Sequence, residues 1–154
     1  KIMPVTYENV LYDFVMDPLR DLFIAEYNYG KIYISPQILH KDPFSIRIWG
    51  NECETISYNQ NEWVKQYKNE IFLYEIETNP GEAFYKQFLN DSERLYQLLF
   101  SKNNLSTTVG STTLNYYDGV VESMTINDFV DEEEDIEGLN VCKFEFNCTL
   151  SRVT

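Results

Sequence analysis

The stretch from Val141 to Val153 alternates strictly between apolar and polar side chains, and no other part of the sequence constrains the fold as much. One parity is apolar and the other polar: Cys142, Phe144, Phe146, Cys148 and Leu150 against Lys143, Glu145, Asn147, Thr149 and Ser151. Because successive side chains of a strand point to opposite faces, this pattern predicts a strand with one face in a core and one in water, as in an antiparallel sheet. Cys142 and Cys148 would then lie about 20 Å apart along the strand and could not form a disulfide. We expect these two and Cys53 to be reduced, mostly buried thiols.

A second strand-like stretch, Tyr117 to Val130, precedes this strand, and the two together predict a long C-terminal hairpin. Between the two strands of this hairpin lies an acidic run, which we define by its carboxylates: Asp131, Glu132, Glu133, Glu134, Asp135 and Glu137. Like charges repel, so we expect the run to be a solvated, mobile tip of the hairpin. It is rich in the oxygen that Ca²⁺ prefers, but it lacks the spacing and central glycine of an EF-hand loop, so we expect no specific metal site.

Two segments have the apolar spacing of helices. Tyr7 to Glu26 is interrupted by Pro18, which predicts either a kinked helix or two short helices meeting at Asp17-Pro18, with Asp17 as a cap. Pro80 to Phe100 begins with Asn79-Pro80-Gly81-Glu82, a helix-start pattern, and carries its large apolar residues on one stripe.

Three further runs are typical of strands: Lys31 to Ser35, Phe44 to Trp49 and Glu70 to Glu77. In the last of these the apolar residues are consecutive, which predicts that both faces of the strand are covered. We interpret Gly50 to Asn61 as turn-like and Ser101 to Thr113 as a polar loop.

The order of these elements predicts a single α+β domain over residues 1–154. Its sheet would have four to five strands, mainly antiparallel, with two helices packed on one face and the long hairpin at the C-terminal end. The chain is long enough, and at 44% hydrophobic residues apolar enough, to form one packed core.

The formal net charge of −13 argues against a general nucleic-acid binder and against a polybasic membrane anchor. The lone histidine, His40, and the group Glu52, Cys53 and Glu54 have no spacing of a closed metal site. We find no nucleophile motif and no glycine-rich phosphate loop. The sequence therefore predicts no enzyme, no catalytic residue, no cofactor and no metal.

One family has a similar order of elements. The segments Asp17-Pro18-Leu19-Arg20-Asp21-Leu22-Phe23 and Gly30-Lys31-Ile32-Tyr33, followed by a proline-containing loop and the Phe44 to Trp49 strand, resemble the start of tailed-phage tail terminators, the tail-completion proteins that cap the tail tube. The third strand, the long helix and the closing hairpin follow in the family's order, so the resemblance extends from about Met16 to Val153. The Gly50 to Asn61 segment and the acidic run are longer than the family's usual loops.

The resemblance implies a structural virion protein, assembled in the host cytoplasm and located at the neck of the tail. It implies a homohexameric ring that binds the tail tube protein on one side, ends tube polymerisation, and receives the head–tail connector or stopper protein on the other. Genomic DNA would pass through the channel without specific binding, and no membrane would be involved. In such a ring the acidic run would line the lumen or meet a basic patch on a neighbouring ring; the alternative is that it is a solubilising loop.

Two other interpretations stay open. The chain could be another neck or tube component of the same virion. It could also be an acidic inhibitor that mimics DNA and occupies the site of a host nuclease, although a mimic would spread its carboxylates along one face rather than crowd them into one loop.

Overall fold

The fold is built on a five-stranded mixed sheet, seen in a computed structural model that describes residues 7–129 and 133–153. In chain order the elements are a π-helical segment (Leu11–Met16), α1 (Asp17–Glu26), β1 (Lys31–Ile34), β2 (Phe44–Tyr58), β3 (Glu62–Ile76), α2 (Glu82–Ser101), β4 (Leu105–Val109), β5 (Thr112–Tyr116), β6 (Val120–Ile126) and β7 (Leu139–Val153). The predicted α+β class is confirmed.

The strand order of the large sheet is β1-β2-β3-β7-β6, and β4 and β5 form a separate two-stranded sheet. β1 runs parallel to β2, whereas the other three pairs of the large sheet are antiparallel. β3 and β7 pair without interruption from Glu62–Val153 to Ile76–Leu139, and they form the centre of the sheet.

Side chains of both helices share one core with one face of the sheet. The sheet contributes Ile46, Ile48, Ile71, Leu73, Phe144 and Phe146, and the helical segments contribute Phe14, Leu19, Phe23, Phe88, Leu95 and Leu99. The apolar parity predicted for β7 is confirmed, because Cys142, Phe144, Phe146, Cys148 and Leu150 are all buried. Cys142 and Cys148 are free and buried, and Cys53 is free and exposed.

The N-terminal helical block continues through Pro18 without separating into two helices. The π-helical segment leads directly into α1, and Pro18 lies in the first turn of α1. The prediction that Asp17 caps this helix is wrong, because no side chain caps it and the Asp17 carboxylate pairs with Arg20 instead.

Two segments predicted as loops are strands. The turn-like interpretation of Gly50 to Asn61 is wrong: β2 continues to Tyr58 and, with β3, forms a long projecting hairpin that we call the arm. The turn of the arm is narrow, and the Asn59 side-chain oxygen accepts hydrogen bonds from the backbone N–H groups of Asn61 and Glu62 at 2.8 and 2.9 Å. The interpretation of Ser101 to Thr113 as a polar loop is also wrong, since β4 and β5 form a hairpin there.

Candidate partner surface

The face of the sheet opposite the helices has a covered half and an open half. The covered half is a second apolar cluster of Phe72, Tyr74, Leu139 and Val141. Ile38 from the loop after β1, and Phe129 and Ile136 from the connection between β6 and β7, pack against it. The prediction that both faces of the third strand are covered is therefore confirmed, with Ile71 and Leu73 facing the helices and Phe72 and Tyr74 facing the loops.

Arg47 lies at the centre of the covered half and is only 3% exposed. Its Nη1 donates to the Ser35 carbonyl at 3.0 Å, and its Nε and Nη2 donate to the Tyr74 hydroxyl at 3.1 and 2.9 Å. The guanidinium carbon lies 3.9 Å from the centre of the Phe72 ring, a cation–π contact. A buried arginine is held in this way by a hydroxyl, a carbonyl and an aromatic face.

Glu133 supplies the negative partner of this arginine. The Tyr74 hydroxyl donates to Glu133 Oε1 at 3.2 Å, and Arg47 Nη2 lies 3.9 Å from the same oxygen. Glu133 is 1% exposed, and burial raises the pKa of its carboxyl against the opposing effects of Tyr74 and Arg47. Burial likewise raises the pKa of the Tyr74 hydroxyl, which therefore stays a donor.

The acidic run is not a uniformly solvated tip. The prediction is wrong at Glu133, because a carboxylate buried next to a guanidinium and a tyrosine hydroxyl anchors the run on the sheet. Glu134, Asp135 and Glu137 are exposed as predicted, and Asp131 and Glu132 lie outside the described residues. A partner or lumen role for the run stays a prediction.

The open half of the same face is a groove of about 510 Å³ with a polar lining. It is bounded by Asn51, Glu52, Gln66, Lys68, Asn69, Glu70, Glu122, Glu145 and Asn147. Glu70 on β3 pairs in register with Glu145 on β7, and Glu122 comes from β6 on the far side of β7. Like charges directly opposite each other in a sheet are unfavourable, so this row across three strands opposes folding.

Two lysines offset part of this charge. Lys143 Nζ lies 2.8 Å from Glu70 and 3.9 Å from Glu145, and Lys68 Nζ lies 2.9 Å from Glu52 and 3.6 Å from Glu54. The pKa values of both lysines are raised, chiefly by their hydrogen bonds to Glu70 and Glu52, respectively. The lining of the groove contains four glutamates and one lysine, so the groove is negative and repels phosphate groups.

The edge of the sheet next to the groove is open and apolar. β6 is the last strand of the sheet, and its sequence of Val-Val-Glu-Ser-Met-Thr-Ile contains no lysine or proline. The apolar side chains of Val120, Met124 and Ile126 on this strand are all substantially exposed. Proteins usually protect such an edge with charged side chains, proline or a covering loop. Among the described residues β6 pairs only with β7 and carries a single charged side chain, Glu122, so its edge is typical of an assembly surface.

Sequence reasoning identified part of this surface. The polar parity of the Val141 to Val153 strand already contained Lys143, Glu145 and Asn147 as a wet face, although Asn147 is buried in the structure. It did not identify Glu52, Glu54, Glu70 and Glu122 as their neighbours, because only the register of β2, β3, β6 and β7 brings these side chains together.

The other candidate groups of the sequence lie elsewhere or form no site. His40 packs edge-on against the Tyr33 ring, with 4.7 Å between ring centres. Over residues 7–129 and 133–153, no three or more His, Cys, Asp or Glu side chains are arranged to hold a metal ion. Within the same residues, no helix has the length and apolarity to cross a membrane.

Comparison with known proteins gives no family assignment: no protein-family model matches the chain, and a search of curated proteins finds no match.

Proposed function

We propose that this protein is a structural virion protein that forms a homohexameric ring at the proximal end of a phage tail tube. In this role it ends polymerisation of the tail tube protein and offers a new surface to the head–tail connector. The ring would assemble in the host cytoplasm and remain in the neck of the virion. The proposal rests on the sequence resemblance together with the surface described above.

The observation that carries the proposal is the bare apolar edge of β6. A strand edge with exposed Val120, Met124 and Ile126 favours association with a different surface of the next copy, which is the head-to-tail contact that a closed ring needs. Since the groove adjoins this edge, association there would set the grooves of successive subunits side by side.

The charge of the groove fits a channel that conducts DNA. Four glutamates and one lysine in the groove lining make a surface that repels phosphates, so DNA would pass without being held. The exposed carboxylates of Glu134, Asp135 and Glu137 add to the same negative field.

Native mass spectrometry over a range of protein concentrations, with and without Mg²⁺, tests the proposal. We expect a discrete six-fold species whose midpoint concentration rises at least tenfold in Ile126→Lys, because a lysine on the edge strand disfavours edge association. Val109→Lys is the matched control, since Val109 and Ile126 are both 42% exposed and Val109 lies in the separate β4–β5 hairpin. A chain that stays monomeric throughout, and also in the presence of tail tube protein, would contradict the proposal.

The terminator role is separated from another neck or tube role by its effect on tube growth. A terminator added in small amounts stops polymerisation of the tail tube protein and shortens the tubes seen by electron microscopy. Another component of the neck or tube would leave tube length unchanged or enter the tube itself.

The distribution of carboxylates favours the DNA-mimic alternative as a second candidate. The sequence predicted acids crowded into one loop, but Glu52, Glu54, Glu70, Glu122 and Glu145 are spread over four strands of one face. Inhibition of a nuclease by the monomer, relieved in Glu122→Gln/Glu145→Gln, would favour this alternative over the ring.

A further inference from the structure

One polar side chain of the groove is buried without a partner. Asn147 on β7 lines the groove and is 9% exposed. Its side chain lies on the groove side of the sheet, because it alternates with Phe146 and Cys148, which are buried in the core shared with the helices. In the part of the chain that the structure describes, no group forms a hydrogen bond with the Asn147 side-chain amide. A buried amide without a partner is unfavourable, so this position suits a ligand that hydrogen-bonds to it.

Two carboxylates of the same groove flank this amide. Glu145 precedes Asn147 by two residues on the same side of β7, and Glu122 lies on β6 at the irregularity between Val121 and Ser123, next to both. Glu122 forms no ion pair with any group in residues 7–129 and 133–153. The two carboxylates and the amide oxygen are therefore three acceptors that line one groove.

The lysines of the chain show how this face holds an ammonium group. Lys143 Nζ lies between the carboxylates of Glu70 and Glu145, and Lys68 Nζ lies between two glutamates of β2. An ammonium group carries three donors and no acceptor, so it matches a position surrounded by oxygen atoms. The position beside Asn147 has a similar set of acceptors, and none of the chain's ion pairs places a lysine there.

The carboxylates of the groove are spread out rather than gathered at one point. Four adjacent strands each contribute one glutamate to the lining: Glu52 from β2, Glu70 from β3, Glu145 from β7 and Glu122 from β6. At about 4.8 Å between neighbouring strands, these four strands extend over about 14 Å. As described above, the acidic side chains do not converge to hold a metal ion. A linear cation with several ammonium groups matches this arrangement better than a single ion, and a groove of about 510 Å³ has the size of a small-molecule site.

We propose that the groove binds a linear polyamine, with a terminal ammonium group between Glu122 and Glu145 that donates to Asn147 Oδ1. The rest of the polyamine extends across β7 and β3 toward Glu70 and Glu52. This goes beyond the proposed ring, because it concerns a small ligand of the single chain. The bound polyamine offsets the repulsion between glutamates on adjacent strands and so stabilises the folded state.

Isothermal titration calorimetry with spermidine at fixed ionic strength tests the proposal. We expect saturable binding of one spermidine per chain and a melting temperature that rises with the spermidine concentration. Asn147→Leu removes the amide acceptor without changing the net charge, so we expect a Kd about tenfold higher, the usual effect of losing a hydrogen bond to a charged group. Glu122→Gln, at an exposed position of β6 where folding does not depend on the side chain, should weaken binding at least as much.

Glu137→Gln is the matched control, because it removes one exposed carboxylate that does not line the groove. This variant should keep the wild-type Kd, since an exposed charge away from the site contributes little. The proposal is overturned if spermidine does not bind, or if Glu137→Gln weakens binding as much as Glu122→Gln, because spermidine would then respond to net charge alone.

Two further probes separate a polyamine from other cations. MgCl₂ and a blocked trilysine peptide, each at the same concentration of positive charge as spermidine, should bind more weakly than spermidine. Equal or tighter binding of MgCl₂ would mean that the groove holds any cation, and equal or tighter binding of trilysine would assign it to a basic protein segment. Either result would overturn the proposal and leave the ring proposal to its own test.

Discussion

At Arg47 the fold buries a full positive charge against the ring of Phe72. A buried ion pair contributes little net stability, but it fixes which groups meet, because leaving either charge alone is costly. Arg47 donates hydrogen bonds to Ser35 in the loop after β1 and to Tyr74 on β3, and Tyr74 in turn donates to Glu133 of the acidic run. One side chain thus determines where two loops lie on the sheet.

We predict that Arg47→Ala lowers the free energy of unfolding by about 3–5 kcal/mol, because it leaves the buried Glu133 carboxylate without its cation. Urea denaturation at neutral pH measures this loss. The double variant Arg47→Met/Glu133→Met should recover most of it, since no buried charge is left unpaired. Lys68→Ala, which breaks an exposed ion pair of the groove, should have a much smaller effect, and an equal effect would contradict the role given to Arg47.

Among the connecting elements, the one between β6 and β7 is attached to the sheet at particular residues rather than being free. Glu133 enters the covered half, and Ile136 and Phe129 pack on its apolar cluster. At Asn127, where φ is +56°, the side-chain oxygen accepts a hydrogen bond from the Val141 N–H at 3.0 Å and so joins the start of the connection to β7. The exposed acids are therefore presented from an anchored loop.

We predict that replacing Glu134, Asp135 and Glu137 together with serine leaves the melting temperature nearly unchanged, because these side chains are solvated. Adding Glu133→Ser to the same set should lower the melting temperature strongly, since it leaves the buried Arg47 guanidinium without its carboxylate partner. Thermal denaturation followed by circular dichroism compares the two variants. Equal melting temperatures would mean that Glu133 does not anchor the run.

Elements with a core-facing parity were predictable, and elements without one were not. The strand from Val141 to Val153 and the consecutive apolar residues of β3 indicated their burial directly. Gly50–Tyr58 pairs with β3 although both faces of this part of the arm are in contact with water. Its sequence therefore has no alternation of apolar and polar residues that would indicate a strand. Glu133 could not be distinguished from its acidic neighbours, because its burial depends on Arg47, 86 positions earlier in the chain.

For the whole molecule, the net charge of −13 opposes any association between copies of the chain. The groove adds to this repulsion next to the β6 edge, where an apolar contact would have to form. Apolar association is insensitive to moderate salt, whereas the repulsion between exposed charges is screened by it. Salt therefore separates the two contributions to ring assembly.

We predict that the proposed ring becomes more stable as NaCl rises from about 0.1 M to about 1 M. The Debye length falls over this range from about 10 Å to about 3 Å, which screens the repulsion between subunits. Sedimentation velocity at fixed protein concentration measures the ring fraction. Glu122→Gln/Glu145→Gln should assemble better at low salt and depend less on NaCl, since it removes two like charges from the face beside the edge. A ring that instead dissociates as salt rises would mean that ion pairs between subunits, rather than the apolar β6 edge, hold the copies together.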